Sequence, residues 1–223
     1  MLLDGEKKRA RLLGSNFLWG HRKANGMYAA GVLPYTFYQN TLYFLVGKDI
    51  RDNSWSDFGG KAEAEDKDTL DTAMREFYEE TCGVVMDLKA LKARFAGRSN
   101  RVMVSATQNG HPYYMYALQV PFTPHLRSTY RKLLAFMRYR KLYKKNIEKT
   151  DMQWVCLDDL LIRDRLTLRS VFASTVRRHA ATLRLLAPTA PGGHSFAGSR
   201  PLPPPLGPHP PQDEGDEEDE KHA

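Results

Sequence analysis

The stretch Trp55–Val84, WSDFGGKAEAEDKDTLDTAMREFYEETCGV, restricts the fold more than any other part of the chain. It opens on a diglycine turn, Gly59-Gly60, and ends in a helix carrying Arg75, Glu76, Glu79 and Glu80. At about 100° per residue, Leu70, Ala73, Met74 and Phe77 share one side of that helix. Glu76, Glu79 and Glu80 fall together on the polar side. Glu80 is nearest the apolar edge and is expected to be the most buried of the three. Asp68 or Thr69 can cap the N-terminus, and Gly83 is placed to stop the helix in a left-handed turn.

Three carboxylates on about one turn repel one another, and like charges four residues apart weaken a helix. A hard divalent cation, Mg2+ or Mn2+, relieves the repulsion and prefers carboxylate and carbonyl oxygens. Such ions are used where a diphosphate is held and its leaving charge neutralised. The backbone of Gly59-Gly60 can approach the same ion, since glycine places no side chain in the way. Arg75 is placed to pair with one glutamate and hold it still. The competing reading is a solvated acidic helix face.

The stretch resembles the box of the Nudix (MutT-like) hydrolases, G-x5-E-x7-R-E-U-x-E-E-x-G-U, where U is bulky and aliphatic. Gly60 matches the first glycine, and Arg75-Glu76-Phe77-Tyr78-Glu79-Glu80 matches R-E-U-x-E-E with Phe77 in the bulky slot. Two departures stand out. Gly60 to Arg75 is one residue too long, which leaves Glu65 and Asp66 near the loop glutamate. Gly83 comes one residue late, with Cys82 in its place.

The resemblance, drawn from the box and extended by strand order to 27–187, implies an α/β/α sandwich with a mixed β-sheet. It also implies hydrolysis of a nucleoside diphosphate linked to another group. Glu76, Glu79 and Glu80 with the Gly59 carbonyl would bind Mg2+ or Mn2+. Glu79, Glu148 and Asp151 are rival bases, the last two because an acid often precedes the Trp of a late Nudix strand, here Trp154. Arg75 would hold the glutamates, while Lys48, Arg51 and Lys61 lie where basic residues meet substrate phosphate. The alternative of another class is a catalytically silent Nudix-fold module that binds RNA or a ligand. Its mark would be loss of the box acids, and all three are present.

Net charge is +7, spread unevenly. Residues 187–223 hold seven acids and two bases, so the body carries 31 bases against 19 acids. A body this basic suits a polyanionic partner. Cys82 and Cys156 do not suggest a disulfide framework, which favours a reducing compartment. No signal peptide or apolar run of about 20 residues is visible, so no transmembrane segment is expected. The expected location is intracellular, cytoplasmic or nuclear, with no obligate protein partner evident.

In order, residues 1–26 form a basic extension. Met27–Val32 and Thr41–Val46 predict a hairpin across Gln39-Asn40. Val84–Leu88, Arg101–Ala106 and Tyr113–Val120 are strand candidates, the last two joined by Asn109-Gly110. Tyr113, Tyr114 and Tyr116 offer either base stacking or core. Leu126–Asn146 predicts a basic amphipathic helix, about 30 Å long at 1.5 Å per residue. Arg138, Arg140, Lys144 and Lys145 are its candidates for RNA. Asp151–Leu160 predicts a strand and short helix, and Leu166–Leu186 a closing amphipathic helix. Residues 188–223, Pro-rich and then acidic, cannot build a core. The basic insertion and this ending are similar to Nudix proteins of large DNA viruses and eukaryotes, mRNA-decapping members among them. Because of the basic helix and the basic N-terminus, capped or 5′-phosphorylated RNA leads the substrate classes. A free nucleotide or nucleotide sugar follows, then an inositol pyrophosphate.

Overall fold

The computed structural model describes residues 27–96, 101–141, 147–162 and 165–187. The basic N-terminal extension, the Pro-rich acidic ending, Lys144 and Lys145 lie outside the described residues.

The chain runs β1 (Ala29–Tyr38), β2 (Thr41–Asp49), β3 (Trp55–Ser56), β4 (Phe58–Lys61), α1 (Thr69–Glu80), α2 (Leu88–Ala96) and β5 (Arg101–Ala106). It continues β6 (Pro112–Gln119), α3 (Leu126–Tyr139), β7 (Lys149–Cys156), α4 (Leu157–Leu161), α5 (Ser170–Arg178) and α6 (Ala180–Arg184). The seven strands form one mixed sheet in the order β3-β2-β1-β6-β5, with β4 also on β1 and β7 also on β2. β1 runs parallel to β6 and antiparallel to β2 and β4.

Side chains alternate across this sheet into two cores. Ala30, Val32, Leu45, Tyr116 and Met152 pack with Phe77, Leu91, Tyr130 and Leu134 from α1, α2 and α3. Leu33, Phe44, Val46, Met115 and Val155 pack on the other face with Leu160, Phe172, Val176 and Leu183 from α4, α5 and α6. Helices thus cover both faces, the expected α/β/α sandwich. A sheet buried on both sides carries near-continuous apolar strands, as the burial of β1 and β2 shows.

The hairpin turn is Gln39-Asn40, both residues at positive φ (45° and 59°), as a tight two-residue turn requires. β1 extends well past Val32. It pairs β4 through Ala29–Val32 and β2 through Tyr35–Tyr38 along the same edge. Pro34, which lacks an N–H, sits where the partner changes, so no ladder bond is lost there. β2 and β1 splay apart beyond this point, and β3–β4 enter between them. That places Gly59-Gly60 at the end of the sheet, under α1.

Three expectations are corrected. Val84–Leu88 is not a strand. Val84, Val85 and Met86 pack on the core as a bend, and the Asp87 carboxylate accepts the Ala90 N–H (2.8 Å) to open α2. The basic helix ends at Tyr139, giving 14 residues and about 21 Å at 1.5 Å per residue. The closing helix starts at Ser170, because Thr167–Arg169 run extended along Trp55 and bond to its backbone. It also breaks at His179, whose Nε2 lies 3.1 Å from the Val104 carbonyl oxygen.

Candidate active site

α1 opens as its sequence dictates. The Asp68 carboxylate accepts the N–H groups of Leu70 and Asp71, both at 2.9 Å. It closes with Cys82 and Gly83 both in the left-handed region (φ 50° and 69°), and the Gly83 N–H donates back to the Tyr78 carbonyl. The late glycine is therefore tolerated because Cys82 itself takes the first left-handed position.

The diglycine packs directly on this helix. A side chain at Gly60 would lie 2.5 Å from the Glu76 carboxylate. The Gly59 N–H donates to Glu80 Oε2 at 2.8 Å. On its other side Gly59 faces Gly31, its partner in the β1–β4 ladder, and a Cβ there would lie 2.5 Å from the Gly31 Cα. The Tyr113 hydroxyl covers this glycine pair and donates to Asp57.

The three glutamates have different surroundings. The side chain of Glu79 is 51% exposed, that of Glu76 13% and that of Glu80 3%. Glu80 is indeed the most buried, but it lies on the buried side of α1 rather than with the other two on a polar face. Burial pushes its carboxyl up to about 8, against the pull of the Lys149 ammonium, whose Nζ is 3.2 Å from Oε1. Burial also raises Glu76, opposed by Arg75.

Arg75 is the organiser of the outer pair. Its Nε and Nη2 donate to both oxygens of buried Asp66 at 3.0 Å each, and Nη2 also donates to the Lys61 carbonyl. This fork leaves Nη1 to reach Glu76 at 2.9 Å and Glu79 at 3.4 Å. Asp66 gains the Thr72 hydroxyl and the Glu63 N–H as well. Burial pushes its carboxyl up, yet these donors outweigh it and leave Asp66 below the ordinary carboxylate range.

A cleft of about 1170 Å3 opens above the diglycine. Arg51, Gly59, Gly60, Lys61, Glu76 and Glu148 line it, together with Asp57, Arg169, Gln108 and Phe172. The cleft lining does not include Lys48, Arg75, Glu79, Glu80 or Asp151. Lys48 is half-buried on β2, and its carbonyl accepts the Thr150 hydroxyl. Asp151 faces α3, where Arg127 and Arg131 each grip both carboxylate oxygens at 2.6–3.1 Å. Arg138 and Arg140 are exposed at the far end of α3. Tyr113 and Tyr116 are buried, so neither offers a stacking face.

Sequence reasoning missed a buried polar layer beneath the glutamates, Asp49, Ser56, Asp57 and Lys149, with the partly exposed Arg169 at its edge. Lys149 is fully buried, its Nζ donating to Ser56 Oγ at 3.0 Å and lying 3.8 Å from Asp49 Oδ2. The β2–β7 register shifts between the Lys48–Asp151 and Asp49–Lys149 pairs, leaving Thr150 as an extra residue on β7. Such a bulge re-aims side chains. Gly47 was the available signal, since a Cβ there would lie 3.1 Å from the Lys149 stem. Burial pushes Asp57 up to about 6, against the Tyr113 hydrogen bond.

The donor chemistry fits a hard divalent ion. Each oxygen of Glu80 has one partner, which leaves a lone pair on each, and the glycine cradle holds Glu76 beside the backbone. Among the described residues, no group of three or more His, Cys, Asp or Glu side chains is gathered as a metal-binding set. Arg75 and Lys149 hold the glutamates instead.

No protein-family model matches the chain. A segment is 45% identical over 58 residues to an uncharacterized protein, L534, of Acanthamoeba polyphaga mimivirus, spanning 24% of this chain and 19% of that protein. The structure is similar to a C. elegans Ap4A hydrolase binary complex, at 16% identity and TM-score 0.44, covering 70% of this chain and 98% of that one. It is also similar to the NUDIX domain of Shewanella oneidensis NrtR complexed with ADP ribose, at 12% identity and TM-score 0.43, covering 72% and 90%. A third similarity is to the MutT protein of Methanosarcina mazei, at 13% identity and TM-score 0.39, covering 70% and 94%.

Proposed function

We propose that the chain is a Nudix-type pyrophosphohydrolase that cleaves a diphosphate linkage in a nucleoside-diphosphate-linked compound, with 5′-capped RNA as the preferred substrate. The observation that carries the reading is the diglycine packed against Glu76 and Glu80 at the floor of the cleft. Glu76, Glu79, Glu80 and the Gly59 carbonyl would hold Mg2+ or Mn2+. The bound ion would supply charge neutralisation at the diphosphate and its leaving group.

The chain's own residues divide the remaining work. Arg51 and Lys61 line the cleft and receive phosphate oxygens. Arg75 fixes Glu76 by a fork anchored on Asp66. Glu148, exposed at the cleft and 3.0 Å from Arg51 Nη2, accepts the proton of the attacking water as its oxygen bonds to phosphorus and the bridging P–O bond breaks. Glu79 is the rival base. Asp151 is disfavoured, since two guanidiniums occupy both of its oxygens.

The preference for RNA is supported by α3. Leu126–Lys141 contains six bases and no acid. Arg127 and Arg131 are spent on Asp151, but Lys132, Phe136, Tyr139 and Arg140 share one outer ridge at helical spacing. Phe136 is 55% exposed and Tyr139 84%. Two aromatic faces flanked by two cations suit a single strand, whose bases stack and whose phosphates pair.

The test is a divalent-dependent hydrolysis assay on capped RNA, a free cap dinucleotide, nucleotide sugars and an inositol pyrophosphate. Cleavage of capped RNA with the highest kcat/KM is expected. Preference for another diphosphate compound overturns the RNA assignment, and inactivity on all with either metal overturns the enzyme.

A further inference from the structure

An unbroken run of alternating charge passes beneath the cleft. It goes from Glu80 to Lys149, from Lys149 to Asp49, and from Asp49 to Arg51 and Arg169. Arg51 then reaches Glu148. Asp49 is the branch point and is fully buried. Its Oδ1 accepts the Arg51 backbone N–H at 2.9 Å and Arg51 Nε at 3.4 Å. Its Oδ2 accepts Arg169 Nη2.

Two arginines distant in sequence are thus clamped by one carboxylate. Each guanidinium has five N–H donors in a fixed fork. Arg51 spends Nε and one Nη2 proton on Asp49 and Glu148, while Arg169 spends an Nη2 proton on Asp49. Both side chains remain partly exposed, 66% and 30%, and both line the cleft. Among the described residues no further hydrogen bond takes their remaining donors, which can meet an anion there in an orientation set from below. Holding such side chains in advance removes rotamer entropy that binding would otherwise cost.

We propose that Asp49 is a positioning residue for the substrate diphosphate: it presents Arg51 and Arg169 as a paired guanidinium clamp on the cleft wall. Asp49 has no exposure and cannot touch substrate, so it acts through the two arginines. This rests on the reading of the cleft as a diphosphate site.

Asp49→Asn tests it. The amide oxygen can still accept the Arg51 N–H and keep the turn at 49–51, while the charge that aligns both guanidiniums is gone. With ADP and Mg2+ titrated calorimetrically, the variant should bind about ten-fold more weakly. In turnover KM should rise by a similar factor, with kcat within about three-fold, the pattern of lost ground-state binding. In an Arg51→Gln/Arg169→Gln background the same substitution should change Kd by less than about two-fold, because its route is removed. Wild-type affinity in the Asp49→Asn variant, or equal weakening in both backgrounds, overturns the proposal. So does a fall in kcat with KM untouched. If Asp49→Asn does not fold, Arg51→Gln/Arg169→Gln decides instead: about ten-fold weaker ADP binding supports the clamp, and unchanged binding overturns it. Wild type that binds ADP but hydrolyses no diphosphate compound would overturn the enzyme reading and leave the clamp standing. Wild type that binds no ADP would overturn both.

Discussion

Lys149 on β7 and Glu80 on α1 meet as a buried ion pair, Nζ to Oε1 at 3.2 Å, with Lys149 fully buried and Glu80 3% exposed. The pair joins the helix that carries the acidic box to the strand that starts beside the cleft. Ser56 Oγ and Asp49 complete the ammonium's surroundings.

Removing Lys149 takes away the charge that opposes burial at Glu80, so that carboxyl stays protonated, and Ser56 and Asp49 lose their ammonium partner. Lys149→Met should therefore cost about 1–3 kcal/mol of stability, read from urea unfolding. Lys149→Met/Glu80→Gln should be about as stable as Lys149→Met, since a protonated Glu80 and a glutamine are both neutral. Equal stability of Lys149→Met and wild type would show that the pair does not hold the fold.

The same pair separates two glutamates that look alike in the sequence. Glu79→Gln and Glu80→Gln should each lower hydrolysis by about 100-fold or more, the usual loss when a group stabilising transition-state charge is removed. Their stabilities should differ. Glu79 is half exposed, so its variant should melt near wild type. Glu80→Gln disturbs a buried acceptor shared by Lys149 and Gly59 and should melt lower. Thermal melts beside kcat/KM check both halves.

The Asp151 cluster predicts a pH dependence. Burial pushes this carboxyl up, but hydrogen bonds from Arg127 and Arg131 outweigh it, so it titrates below the ordinary range in the folded chain. The unfolded chain then takes the proton first. The contribution to stability is complete above the ordinary carboxylate value and is lost as pH falls through the folded value. The stability gap between wild type and Arg127→Gln/Arg131→Gln should therefore be widest near neutrality and shrink in acid. Urea unfolding on either side of the carboxylate range measures it.

Charge reversal in the basic stretch Leu126–Asn146 tests the substrate. Changing Arg138, Arg140, Lys144 and Lys145 to Glu should lower kcat/KM for capped RNA about ten-fold or more, while cleavage of a free cap dinucleotide stays within about two-fold. RNA affinity should also lose salt dependence, by about 0.7 in slope per phosphate contact removed. Equal, small changes on both substrates would return the protein to small nucleotides.

The local features were legible in the sequence because they depend on near neighbours. Asp68 caps α1, Gly83 ends it, Gln39-Asn40 turns the first hairpin, and Arg101–Ala106 forms a strand with the expected bounds. Glu80 could be ranked as the most buried glutamate from helical angle alone. Val84–Leu88 failed because apolar composition does not distinguish a strand from a packed bend, and Asp87 opened a helix instead. The basic face of α3 was legible as composition but not as availability. Whether an arginine faces solvent or a carboxylate depends on what β7 brings beneath it, and β7 brings Asp151 to Arg127 and Arg131.

What the sequence by itself determined is the helix with its acids, the glycine turn before it and the supply of apolar strands. Hydrogen bonding and periodicity over a few residues suffice for those. Only the tertiary structure decided which charges share a buried layer. Lys149 comes to Ser56 across 93 positions and Arg169 to Asp49 across 120. A register shift in β7 and the missing side chain at Gly47 make room for the first contact. Away from water a charge must find a partner or lose its ionisation, so these long-range pairings set the chemistry of the candidate site that the local pattern only announced.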